Sequence, residues 1–197
     1  MSGSDIANPL NHRLFEQPWP EGEYRFFQLG YIVDDLLPAA ENWVRTFGVG
    51  PFHVLPRMQT PCTYRGAESV LDVRVCVAQA GPVQIELIQQ FDDAPSVYHE
   101  LTAAGTTLMH QMATMTEDYA GTMAHYTSLG YEVVCEVESY GQHVAYIDTV
   151  ADFGLYVEVI EQVPLFAKQI AAIAETCKTW DGTDPIRILT RDGYRTP

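Results

Sequence analysis

The chain has 197 residues, 47% of them hydrophobic, and a formal net charge of -15. That size suits one domain or two small fused modules, and so acidic a surface repels phosphate backbones, which excludes nucleic acid as a partner. Lysine occurs only at Lys168 and Lys178, so a polyanionic substrate is disfavoured as well.

Residues 1–24 carry prolines and no strong periodicity, and read as an N-terminal arm. They hold neither a basic n-region nor an apolar h-region, and no later run reaches the length of a membrane span. Cys62, Cys76, Cys135 and Cys177 lack any metal-finger spacing and read as reduced, space-filling thiols. The expectation is a cytoplasmic protein with no membrane partner.

From residue 26 the elements alternate. "FFQLGYIV" predicts a strand, and "DDLLPAAENWVRTFG" a helix with Asp34 or Asp35 as N-cap and Gly48 as terminator. "PFHVLPRM", "ESVLDVRVCVAQA" and "VQIELIQQ" predict three more strands, and "SVYHELTAAG" a short helical connector. "MHQMATMT" then predicts a strand, "EDYAGTMAHYTSLG" a helix, and "YEVVCEVESYG", "QHVAYIDTV" and "LYVEVIEQ" three strands. After Pro164, Phe166, Ile170, Ile173 and Cys177 form one helical stripe, and the turn-rich tail is expected to loop over the surface. The stripe suits either a homodimer contact or a cap on the chain's own sheet.

The order of elements repeats. Phe27-Gln28 precedes a helix-capping Asp35 by the same interval as His110-Gln111 precedes Asp118, and Glu86-Leu-Ile-Gln-Gln matches Glu158-Val-Ile-Glu-Gln. The expected fold is therefore α+β: two tandem βαβββ modules, residues 25–105 and 106–162, forming a pseudo-twofold, cleft-bearing mixed sheet. A C-terminal helix and tail, residues 163–197, follow. The repeat aligns Gln28 with Gln111 and Glu86 with Glu158. An acid amid an apolar strand is costly to bury unless paired, protonated or metal-bound, so two at matching places mark a site. Further candidates to bind substrate are His53, Tyr64, Arg74, His143 and Tyr146. Strand alternation lets only one of His143 and Tyr146 face the cleft.

With these segments on the page, the chain resembles the vicinal oxygen chelate superfamily over residues 26–162. That group includes glyoxalase I, methylmalonyl-CoA epimerase, extradiol dioxygenases and bleomycin-resistance proteins. The resemblance implies a metal set at Gln28, Glu86, Gln111 and Glu158. Glutamine at the third position departs from the usual histidine; His110 takes that place if the register slips by one or a bulge re-aims it. Such an all-oxygen set suits Mg, Mn or Ca better than Zn, and a bound divalent ion (Mg, Mn, Ni, Co or Zn) acts as Lewis acid. Without a metal, Glu86 and Glu158 serve as a bare acid–base pair. The resemblance implies an isomerase, epimerase or lyase moving a proton beside the carbonyl of a small, mostly apolar molecule, and a homodimer. The alternatives are a non-catalytic small-molecule binding protein and a metal-independent hydrolase or cyclase.

Overall fold

β1 (Gln28–Ile32) enters α1 (Leu36–Phe47) through Asp35, whose carboxylate accepts the Leu37 N–H at 3.2 Å. Pro38 falls in the first helical turn, where its missing N–H has no partner to lose. Leu36, Ala40 and Val44 form the buried stripe, and Gly48, at φ 65°, ends the helix by donating to the Val44 carbonyl. The computed structural model describes residues 25–101, 107–139 and 141–197. The expected arm at 1–24 lies outside them.

The first module continues with β2 (Phe52–Val54), β3 (Met58–Tyr64), β4 (Ala67–Ala80) and β5 (Val83–Gln90). The stretch expected as one strand from Pro51 to Met58 is split, and β3 runs through Pro61. Proline is tolerated there because only Cys62–Tyr64 of β3 pair with a strand on the far side, leaving Pro61 on a free edge. A short helix, α2 (Val97–Glu100), leads to the second module: β6 (Leu108–Thr116), α3 (Tyr119–Ser128), β7 (Val133–Ser139), β8 (Gln142–Ile147), α4 (Val150–Phe153) and β9 (Tyr156–Glu161).

The strands form one mixed sheet. β4 pairs with both β3 and β5, which closes the eight strands β4-β3-β7-β8-β9-β6-β1-β5 into a barrel. Each module contributes one parallel pair, β1 with β5 and β6 with β9, and the modules meet along two antiparallel seams, β1–β6 and β3–β7. At the first seam Gln28 pairs with Ala113, Leu29 with Met112 and Gly30 with Gln111, so the pseudo-twofold passes between Leu29 and Met112.

Three clusters fill the molecule. One, with Val73, Val75, Ile88, Tyr98, Tyr146 and Tyr156, occupies the barrel interior. A second lies between α1 and the outside of β4 and β5, and a third beneath α3 against β8 and β9. α5 (Pro164–Lys178) packs on β4, with Phe166 edge-on to Phe27 at 6.4 Å and the Cys177 sulfur accepting the Gln79 N–H at 3.2 Å. Its stripe thus packs on the chain's own sheet. No helix among the described residues is long and apolar enough to cross a membrane.

The tail corrects the sequence reading. β10 (Ile186–Thr190) and β11 (Gly193–Arg195) form a hairpin, and β10 runs parallel to β2, extending the sheet beyond the barrel. Ile186 and Ile188 alternate inward against α1, and Arg191 and Asp192 make the two-residue turn between the paired Thr190 and Gly193. Ile188→Ala is expected to cost about 3 kcal/mol. Urea unfolding checks this; a change below about 0.5 kcal/mol would match a surface loop instead.

Candidate active site

The register carries two adjacent rungs of side chains into the barrel. One runs Val77, Glu86, Gly30, Gln111 and Tyr156 across β4, β5, β1, β6 and β9. The next runs Gln84, Gln28, Ala113, Glu158 and Tyr146 across β5, β1, β6, β9 and β8. Paired residues share a sheet face, so both glutamates and both matched glutamines point inward. Gln28, Gln111 and Glu158 are buried and Glu86 is half-buried, the more open of the two acids.

Gln111 joins the two carboxyls. Its Nε2 lies 3.2 Å from Glu86 Oε2 and 3.3 Å from Glu158 Oε2, donating to both. It reaches them by lying across Gly30, where a Cβ would come within 2.4 Å of the Gln111 Cδ. By the pseudo-twofold, Gln28 would lie across Ala113. A methyl stands there, and Gln28 instead donates to Gln84 Oε1 at 2.7 Å. One missing methyl thus decides which glutamine spans the pair.

The two carboxyls differ in their partners. Glu158 also accepts the Tyr146 hydroxyl at 2.9 Å, and Tyr146 in turn lies 2.8 Å from the Tyr98 hydroxyl. Burial pushes Glu158 up to about 7, with the Tyr146 and Gln111 hydrogen bonds pulling the other way. Glu86 is raised well above the usual carboxylate range, first by burial and then by the negative charge of Glu158.

His110 faces inward without a slip of register. β6 bulges between the partners of Gly30 and Tyr31, so that Gln111 and Met109 pair in succession and His110 is the extra residue. Fully buried, its Nδ1 meets Gln111 Oε1 and its Nε2 lies 2.9 Å from the Val97 carbonyl oxygen. Burial lowers its pKa, and those two contacts oppose the shift. It acts on the site through Gln111 and does not reach the carboxyls.

The remaining candidates divide. Tyr146 is in the site. His143 faces outward, stacked on Tyr119 at 5.2 Å, because alternation along β8 sends Val144 and Tyr146 inward. Arg74 also leaves the cleft: Val73 and Val75 hold the interior face of β4, and the Arg74 Nε donates to the Leu55 carbonyl at 3.0 Å. Asp72 pairs instead with Arg57 at 2.6 Å. Tyr64 donates to Glu100 at the rim, beside Arg65 and Tyr156, which bind the same carboxylate. His53, paired with Val77, lies on the interior-facing side of β2 two strands from Glu86. Tyr98 was hidden in the connector. Its one signal is the apolar Val97-Tyr98 pair behind Ser96, which caps α2 by accepting the Tyr98 N–H at 3.1 Å.

As arranged, the four matched residues do not build a cage for a divalent ion. Gln111 turns its nitrogen to both carboxylates and its oxygen to His110, and Gln28 turns its nitrogen to Gln84. No cluster of three His, Cys, Asp or Glu that could hold a metal occurs among the described residues.

A profile described as the glyoxalase/bleomycin resistance protein/dioxygenase superfamily matches residues 27–146. The chain belongs to this superfamily. Solved structures share the fold of this superfamily member. Methylmalonyl-CoA epimerase from Mycobacterium tuberculosis is 18% identical with a TM-score of 0.51, covering 73% of this chain and 91% of its own. A Streptomyces coelicolor methylmalonyl-CoA epimerase is 18% identical with a TM-score of 0.52, covering 71% and 95%. A hypothetical protein from Bacillus halodurans is 14% identical with a TM-score of 0.50, covering 70% and 94%. No curated protein sequence is significantly similar to the chain.

Two predictions follow from the packing and charge of the pair. Gly30→Ala forces Gln111 off both carboxyls and is expected to cost about 1–3 kcal/mol in denaturant unfolding. The raised carboxyl pKa values mean that the folded state holds more protons than the unfolded one between the ordinary value of 4.5 and about 7. Stability therefore falls as pH rises through that window. Glu158→Gln is expected to flatten the fall and to be more stable than the parent by about 1–3 kcal/mol at pH 8. Unfolding free energies measured from pH 4 to 8 test the sign.

Proposed function

We infer that the protein is an enzyme of proton transfer beside a carbonyl, an isomerase or epimerase in the first instance, with Glu158 as base and Glu86 as acid. The observation that carries this is the sharing of one amide by a buried and a half-buried carboxyl with unequal support. Two donors, Tyr146 and Gln111, favour the anion of Glu158, whereas Glu86 has Gln111 alone and faces the Glu158 charge. Environments that separate two like groups in this way divide the roles of acid and base between them.

A substrate entering on the Glu86 side meets an apolar interior built of Val73, Val75 and Ile88. That lining suits a small, mostly apolar carbonyl compound. Glu158 takes the proton from the carbon beside the carbonyl; Glu86 gives one back, to the same carbon for epimerisation or to a neighbouring atom for isomerisation. A leaving group on the next carbon would make the same step a lyase reaction. The fold shared with methylmalonyl-CoA epimerases makes epimerisation the first class to assay. Because the residues do not form a metal cage, the two glutamates carry the proton transfer by themselves.

The test is exchange of substrate carbon-bound protons into D2O, followed by proton NMR. Small ketones, 3-oxo esters and 2-methyl-branched thioesters form the panel, each assayed with and without a chelator. Exchange is expected to fall about 100- to 10,000-fold in Glu158→Gln and in Glu86→Gln. Binding without exchange by the parent protein would instead favour a small-molecule binding protein, and loss of exchange on chelation would overturn the metal-free reading.

A further inference from the structure

Removing a proton beside a carbonyl places negative charge on the carbonyl oxygen, and that charge needs a donor. In a site without a metal cage the donor must come from the chain itself. Gln111 is committed to the two carboxyls and Tyr146 to Glu158.

Gln84 has what is missing. It precedes Glu86 by two residues on the same face of β5, about 7 Å along the strand. It is 2% exposed, and its Nε2 has no hydrogen-bond partner. Its Oε1 is held by Gln28 Nε2 at 2.7 Å, which fixes the amide and turns the free N–H groups away from Gln28. A buried amide left without an acceptor is destabilising, and each such group in a native protein calls for an explanation, a catalytic role among them. The only other buried side-chain nitrogen or oxygen without a partner among the described residues is the Nδ1 of His53. That atom sits two strands from Glu86 and can donate or accept according to its tautomer, whereas an amide nitrogen can only donate.

We propose that Gln84, oriented by Gln28, is the oxyanion donor of this site and hydrogen-bonds the enolate oxygen formed when the glutamates act. The proposal rests on the proton-transfer reading above. In the step, the C–H bond breaks and its proton goes to the Glu158 carboxylate. The electron pair becomes the enolate, with its charge on the oxygen facing the Gln84 N–H. The Glu86 proton then returns to carbon and the oxygen reverts to a carbonyl. Gln28 is thereby a positioning residue, and the ligand class is narrowed to planar molecules whose oxygen can carry full negative charge.

The probe is 4-nitrophenol, whose phenolate is a stable planar oxyanion with its own absorption spectrum. Binding is titrated in the parent protein and in Glu158→Gln, which removes the repelling carboxylate and makes the result independent of the acid–base reading. Gln84→Met keeps the shape and removes the donor. Phenolate affinity is expected to fall tenfold or more in Gln84→Met, in both backgrounds. Gln28→Leu is expected to weaken binding less, since the donor remains but is no longer held. Unchanged phenolate affinity in a cooperatively folding Gln84→Met protein overturns the proposal, as does failure of both the parent and Glu158→Gln to bind phenolate. Absence of proton exchange in a parent protein that binds phenolate, with that binding lost in Gln84→Met, would instead count against the roles given to the glutamates and leave the donor role of Gln84 standing.

Discussion

A buried and a half-buried carboxyl group repel each other inside the barrel, and the rest of the site is organised around that repulsion. A single amide, donated by Gln111, reaches both at 3.2 and 3.3 Å. That amide is held in turn by His110, which is anchored to the Val97 carbonyl. The span requires the backbone of β1 to approach without a side chain, hence Gly30. It requires the bulge in β6, which sends His110 and Gln111 inward in succession. It also requires the antiparallel seam that sets Glu86 and Glu158 on neighbouring rungs.

The two modules place equivalent residues in equivalent registers, yet the site they make is lopsided. Gly30 and Ala113 occupy matching places, and the methyl between them in composition is enough to send one glutamine across the seam and the other back to its own module. The tyrosine pair adds to the imbalance, because only Glu158 receives a phenol. A symmetric pair of acids would share a proton without preference. An unequal one has a direction.

Much of this was legible in the residues. The matched Gln28/Gln111 and Glu86/Glu158 positions follow from the repeat, since a strand register copied between modules copies the direction of each side chain. Alternation also carries the outward placement of Arg74: Asp72, Arg74 and Cys76 take one parity and Val73, Val75 and Val77 the other. What alternation cannot supply is a bulge, which breaks the period at one residue and is set by the partner strand. His110 is therefore placed only by the paired structure. The tail hairpin carried its signal in Asp192-Gly193, but two short strands gain their stability from β2 and the α1 face, which are remote in sequence. Tyr98 sits in a four-residue helix, too short for any periodicity.

The segment that joins the modules is more than a tether. Val97 anchors His110, Tyr98 extends the hydrogen-bond chain to Glu158, and Glu100 gathers Tyr64, Arg65 and Tyr156 at the rim. Duplication of one βαβββ unit would close a barrel with any connection long enough to span it. Here the connection has become part of the interior, so it cannot be exchanged for another of equal length. A circular permutant cut between residues 94 and 100 would leave every strand whole, yet sever the segment that anchors His110 and Tyr98. The halves share one architecture but are not interchangeable parts.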